Sequence, residues 1–106
     1  MDSFRKYVES ADIHDVFGTK VSRQWLLAQI RDLPIVDEIT TNIPIDQLVA
    51  TQASLGSNEP RSSNPIDVVK WANRYFVIEG HHRVAKAKRE GKRTIVAHVF
   101  EYGAQP

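Results

Sequence analysis

Tyr75-Phe76-Val77-Ile78-Glu79-Gly80-His81-His82-Arg83-Val84-Ala85-Lys86-Ala87-Lys88 is the stretch on which the reading of this chain turns. The apolar run Tyr75–Ile78 has the composition of a buried strand. A single glycine follows, then two imidazoles and a guanidinium, then helix-forming residues out to Glu90, with Gly91 as the stop. A strand that enters a helix through one glycine gathers backbone N–H groups, the positive end of a helix dipole and basic side chains at one point. Phosphate is the ligand that such a point suits best.

Each residue type has a part in that chemistry. Gly80 tolerates positive φ and leaves room for an anion to approach the backbone. The first turn of the helix over 82–90 brings unpaired N–H donors. Arg83 offers a planar fork matched to phosphate oxygens. His81 and His82 can donate to phosphate or move a proton near neutral pH, and Lys86 follows one turn after His82. Glu79 can serve as a base or a metal ligand, and Asp67, on the neighbouring strand, is the second acidic candidate. The run Lys86, Lys88, Arg89, Lys92, Arg93 is either a solvated helix face or a track for a nucleic-acid backbone.

Working outward, Pro65-Ile66-Asp67-Val68-Val69-Lys70 reads as a strand, and Ala72-Asn73-Arg74 as the turn that pairs it back with Tyr75–Ile78. Thr94–Phe100 alternates and reads as a last strand, on which His98 is a face-of-sheet residue. Upstream, Ile39–Ile45 has a β-like period, with Pro44 at its end or on an edge. Asp46-Gln47-Leu48-Val49 suits one helical turn capped by Asp46. Ala53–Asn64, rich in Ser and Asn with Gly56 and Pro60, is a turn-rich loop. Residues 1–34 read as a helical N-terminal extension. Phe4, Tyr7 and Val8 lie at helical spacing, Gly18-Thr19 is a break, and Ser22 caps a helix with Trp25, Leu26, Ile30 and Leu33 on its core face. The sum is a single α+β domain over 1–106, with helices packed on one mixed sheet and a motif-bearing core at 39–100.

Composition sets the limits. The chain has 106 residues, 42% hydrophobic and 25% charged, with a formal net charge of +1, so it can build one modest core and has no general affinity for polyanions. It contains no cysteine, which excludes disulfides, thiolate metal sites and cysteine nucleophiles. No zinc site is expected, because a set built from His81, His82, His98 and a carboxylate lacks ligand spacing, and no haem is expected. His14 between Asp12 and Asp15 reads as exposed turn polarity. With no spanning apolar run and no signal-type N-terminus, the expectation is a cytoplasmic protein without a membrane partner.

Four blocks occur in an order that resembles a known group of proteins. They are Ile43–Gln52, Pro65–Val68, Tyr75–Ala87 with its Gly80-His81-His82-Arg83 centre, and Thr94–Val99. Over residues 39–100 the chain is similar to the ParB/sulfiredoxin superfamily, most of all to its small phage and plasmid ParB-like nuclease domains. The resemblance implies a compact ParB/sulfiredoxin-like fold with phosphate contacts at Gly80, His81, His82 and Arg83, and with Thr51 and Gln52 against nucleotide or DNA. Members include nucleases, CTP-dependent DNA clamps, sulfiredoxins and kinases of free serine. Here His81 stands where sulfiredoxins carry cysteine, which excludes sulfinic-acid reduction. The arginine-rich block and helix-turn-helix domain of partition proteins are missing, so a full partition clamp is not expected.

Two functions of different kinds follow. One is a metal-dependent nuclease or nucleotide hydrolase. In it Arg83 stabilises charge, His81 or His82 moves the proton, and Glu79 and Asp67 hold Mg2+ or water. The other is a non-catalytic module that holds ATP, CTP or a nucleic-acid phosphate and acts through a host or partner protein. A serine-type small-molecule kinase is a third reading, for which residues 1–34 offer no recognisable catalytic acid.

Overall fold

A computed structural model of the chain describes residues 17–52 and 65–103. The expected helix around Phe4, Tyr7 and Val8, the His14 cluster and the loop Ala53–Asn64 lie outside the described residues. In chain order the elements are β1 (Thr19–Lys20), α1 (Arg23–Ile30), β2 (Ile35–Pro44), a 3-10 turn (Ile45–Gln47), β3 (Leu48–Ala50), β4 (Ile66–Trp71), β5 (Arg74–Glu79), α2 (His81–Arg89) and β6 (Thr94–Tyr102).

The strands form one six-stranded mixed sheet in the order β1-β3-β5-β4-β6-β2. β1, β3 and β5 run parallel, β4 is antiparallel to β5 and parallel to β6, and β2 closes the sheet antiparallel to β6. This is the α+β class read from the sequence. Alternation along the central strands feeds two cores. Val68, Val77, Ala97 and Val99 face Val84, Ala85 and Ala87 of α2. Val49, Val69 and Phe76 face Leu26 and Ile30 of α1. Among the described residues one helix covers each face, and β5 carries the apolar run Tyr75–Ile78 because both its faces are packed. The alanines of α2 let the helix lie close to the sheet, and full burial of a Val or Leu in either layer contributes roughly 1.5–3 kcal/mol.

Several local expectations are met. The Ser22 side chain caps α1 by accepting from Trp25 N–H at 3.0 Å. β4 and β5 are joined by Ala72-Asn73, both at positive φ (53° and 62°), the combination a two-residue type I′ hairpin needs. Pro44 ends β2, and β2 is an edge strand.

Other expectations are corrected. Trp25 is 45% exposed and packs edge-on against Trp71 at 5.9 Å instead of entering the core. Leu48 and Val49 belong to β3, and Asp46 sits inside the short 3-10 turn without capping it. Hydrogen bonding with neighbouring strands outweighs the local turn preference there. Residues 17–34 also hold more than helix. β1 pairs with β3, and Phe17 is buried in the α2-side core. Among the described residues no helix is long and apolar enough to cross a membrane.

Candidate phosphate site at the carboxyl edge of the sheet

β1, β3 and β5 are parallel neighbours, so their carboxyl ends share one edge of the sheet. From that edge β1 passes into α1 on one face and β5 passes into α2 on the other, while β3 between them continues into Thr51-Gln52. Connections that leave to opposite faces make a switch point, and open α/β sheets bind ligands in the crevice outside such strand ends.

The junction at Gly80 differs in one physical detail from its sequence reading. Gly80 is the N-cap of α2 with φ 108° and ψ 21°, a conformation that favours glycine. The space a Cβ would take is already filled, however. It would lie 2.4 Å from Ile66 Cγ2 and 2.8 Å from Ile66 Cβ. The absent side chain lets β5 turn tightly against β4, and this corrects the expectation that it leaves room for an anion. α2 begins one residue earlier than expected, at His81. Its first intrahelical bond runs from Val84 N–H to Gly80 C=O at 3.0 Å, so the N–H groups of His81, His82 and Arg83 have no intrahelical acceptor. Gly80, as the N-cap residue, brings no side chain to them.

The two adjacent histidines part company. His81 turns inward and is 2% exposed, and its ring meets that of Phe17 edge-on at 5.3 Å. Its Nε2 accepts from Thr51 N–H at 2.9 Å. A ring nitrogen that accepts carries no proton, so the neutral ring holds its proton on Nδ1. That buried Nδ1 has no hydrogen-bond partner among the described residues. Burial lowers the His81 pKa from 6.5 to about 4, with smaller contributions from the positive fields of Arg23 and His82. The imidazole is therefore neutral at physiological pH. Thr51 is buried with it and also donates its hydroxyl to the Val77 carbonyl, so this loop residue ties β3 to the β5–α2 junction.

His82 is half-buried and is the outward member of the pair. Arg83 donates to the Pro65 carbonyl at 3.0 Å, which holds its guanidinium beside the start of β4. Gln52 is half-buried at the crevice. Lys86 is exposed in the last turn of α2, about 6 Å along the axis from His82. Glu79 is exposed at the end of β5, and Asp67 is its register partner on β4, with His98 the partner of Asp67 on β6. No group of three His, Asp or Glu side chains able to hold a metal occurs among the described residues. His98 instead pairs with Glu38 of β2 at 2.8 Å and stacks on Phe100.

Sequence reasoning missed Arg23. This first residue of α1 reaches across the end of β3 and donates to the Ile78 carbonyl on β5. A signal for it was present. Neither helix has an acidic residue in its first turn, and each carries a guanidinium there, Arg23 in one and Arg83 in the other. Cations at the positive end of a helix dipole are unfavourable unless an anion joins them.

Comparison with protein-family models, with curated proteins and with solved structures gives no match for this chain.

Proposed function

We propose that this protein binds a phosphate group of a nucleotide or nucleic acid in the crevice at the carboxyl ends of β1, β3 and β5, as a ParB-like binding module. The observation that carries this reading is the meeting of two helix starts at one switch point of the sheet, both basic and neither with an acidic residue in its first turn. The glycine N-cap of α2, which brings no side chain to the helix start, supports it, as does the buried His81 Nδ1–H, which has no acceptor among the described residues. In this reading Arg83 and the backbone N–H groups of His82 and Arg83 hold the phosphate. His82 and Arg23 complete the positive field, and His81 and Thr51 fix the shape of the junction. Lys86 and Gln52 lie at the margin.

A binding role is favoured over catalysis because one of the two proton carriers nominated by the sequence is buried and neutral. The register pairing of Asp67 with Glu79 keeps a second reading alive. In it, Mg2+ on those carboxylates and a proton on His82 serve phosphodiester or phosphoanhydride cleavage.

Thermal-shift and calorimetric titrations with ATP, CTP and a single-stranded oligonucleotide, with and without Mg2+, test both readings. The expected result is a raised melting temperature with ligand phosphates left intact, and at least about tenfold weaker binding in Arg83→Ala, the scale of one lost charged hydrogen bond. No shift with any ligand at millimolar concentration would sink the binding reading. Turnover above the Arg83→Ala control would favour the hydrolase.

A further inference from the structure

The two edges of the sheet are unlike. On one side β1 is only two residues long, too short to template another strand. On the other, β2 runs for ten residues and, among the described residues, pairs with β6 alone. An edge strand turns alternate N–H and C=O groups outward, and a long one without protection invites another strand. The protection of β2 is concentrated at its amino-terminal end, where a register shift lies between Ile35 and Asp37 and the Asp37 carboxylate accepts from Glu38 N–H at 2.9 Å, and its one proline is the terminal Pro44. Exposed apolar side chains also gather at this edge. Of the six large ones among the described residues, Ile35 (49%), Val36 (58%) and Ile39 (48%) are on β2 and Val96 is on the adjacent β6, with Trp25 and Leu27 elsewhere.

The strand's charges select its partner. Both carboxylates, Asp37 and Glu38, lie on the amino-terminal side of Ile39, and the carboxyl-terminal side is Thr40-Thr41-Asn42. Two copies pairing antiparallel about a two-fold axis perpendicular to the sheet keep each face continuous, so one residue must stand opposite itself. Centring on Asp37 or Glu38 would set like carboxylates against each other. Centring on Thr40 would set Asp37 opposite Ile43, which is buried. Centring on Ile39 sets Ile39 against itself, Asp37 opposite Thr41 and Glu38 opposite Thr40, all within the regular part of β2 that follows the register shift between Ile35 and Asp37. Each carboxylate then faces a hydroxyl.

We propose that the protein forms a two-fold homodimer through antiparallel pairing of β2 with β2 of a second copy, centred on Ile39, which joins the two sheets into one. The edge lies at the opposite end of the strand order from β1, so this inference does not depend on the phosphate site.

The full chain contains no native cysteine, which makes the register directly testable. Sedimentation equilibrium of the wild type across the micromolar range should give twice the 12.0 kDa chain mass. Ile39→Cys should cross-link to itself under a mild oxidant, because directly opposed strand residues fall within disulfide reach. Val36→Cys, which lies at the register shift three residues from the two-fold centre, should cross-link far less. Ile39→Lys, which sets two ammonium groups face to face, should sediment as a monomer with an unchanged circular dichroism spectrum. A wild-type monomer throughout the range would overturn the proposal, as would a dimer in which Ile39→Cys fails to cross-link. Slow hydrogen exchange of the outward β2 amides in a monomeric protein would also overturn it, since another segment of the same chain would then occupy the edge. If Ile39→Lys does not fold, the cysteine pair still decides the register.

Discussion

Acidification should destabilise this protein through a single imidazole. His81 accepts from Thr51 N–H through Nε2 and is 2% exposed, so a second ring proton would have to replace a hydrogen bond and bring charge into the core. Burial, then the fields of Arg23 and His82, lower its pKa from 6.5 to about 4. In the unfolded chain the ring titrates near 6.5. Between these values the unfolded state binds the proton and the folded state does not. The contribution of the neutral ring is thus fully present above about pH 6.5 and is lost as pH falls through about 4.

At roughly 1.4 kcal/mol per pH unit, that separation amounts to about 3 kcal/mol, of which about 2 kcal/mol has gone by about pH 5. Urea unfolding at about pH 7.5 and about pH 5 measures it, with His81→Gln as the comparison, since glutamine can accept from Thr51 but cannot titrate in this range. The other histidines and the carboxylates are common to both proteins and cancel in the difference. The wild type should lose about 2 kcal/mol more than His81→Gln between the two pH values. Equal losses would refute the reasoning, and so would an NMR titration placing the His81 midpoint near 6.5.

Two backbone positions give further predictions. Gly80→Ala should cost about 3 kcal/mol by chemical denaturation, since the new methyl meets Ile66 at 2.4 Å and φ is 108°. A loss under about 1 kcal/mol would show that the junction can relax. Ala72→Gly should stabilise the protein by about 1 kcal/mol, because Ala72 holds φ at 53° in the β4–β5 turn, and a destabilised variant would contradict that turn geometry.

The central elements were legible in the sequence because their signals are local. The β4–β5 hairpin, α2 with its flanking glycines, and the Ser22-capped α1 each follow from period and punctuation over a few residues. The misreadings fall where long-range pairing overrides those signals. Leu48 and Val49 look like a turn until β5 pairs with them, and Trp25 looks like core until the helix face is fixed by Leu26 and Ile30. Of the candidate site, the basic block was visible as a string, while Arg23 lies 57 positions before Gly80 and joins it only through the β1-β3-β5 order.

The sequence by itself determined that a strand enters a helix through Gly80, that basic side chains open that helix, and that no thiol chemistry is available. It could not say which of two neighbouring imidazoles faces inward. Their chemistry is identical, and only the packing of Phe17 and the Thr51 N–H against the ring distinguishes them. Nor could it mark β2 as an edge, since a strand's place in a sheet depends on pairings between residues far apart in the chain. Tertiary structure decided both. It set one histidine in the core as a neutral acceptor, left the other at the crevice, and exposed the outer side of β2.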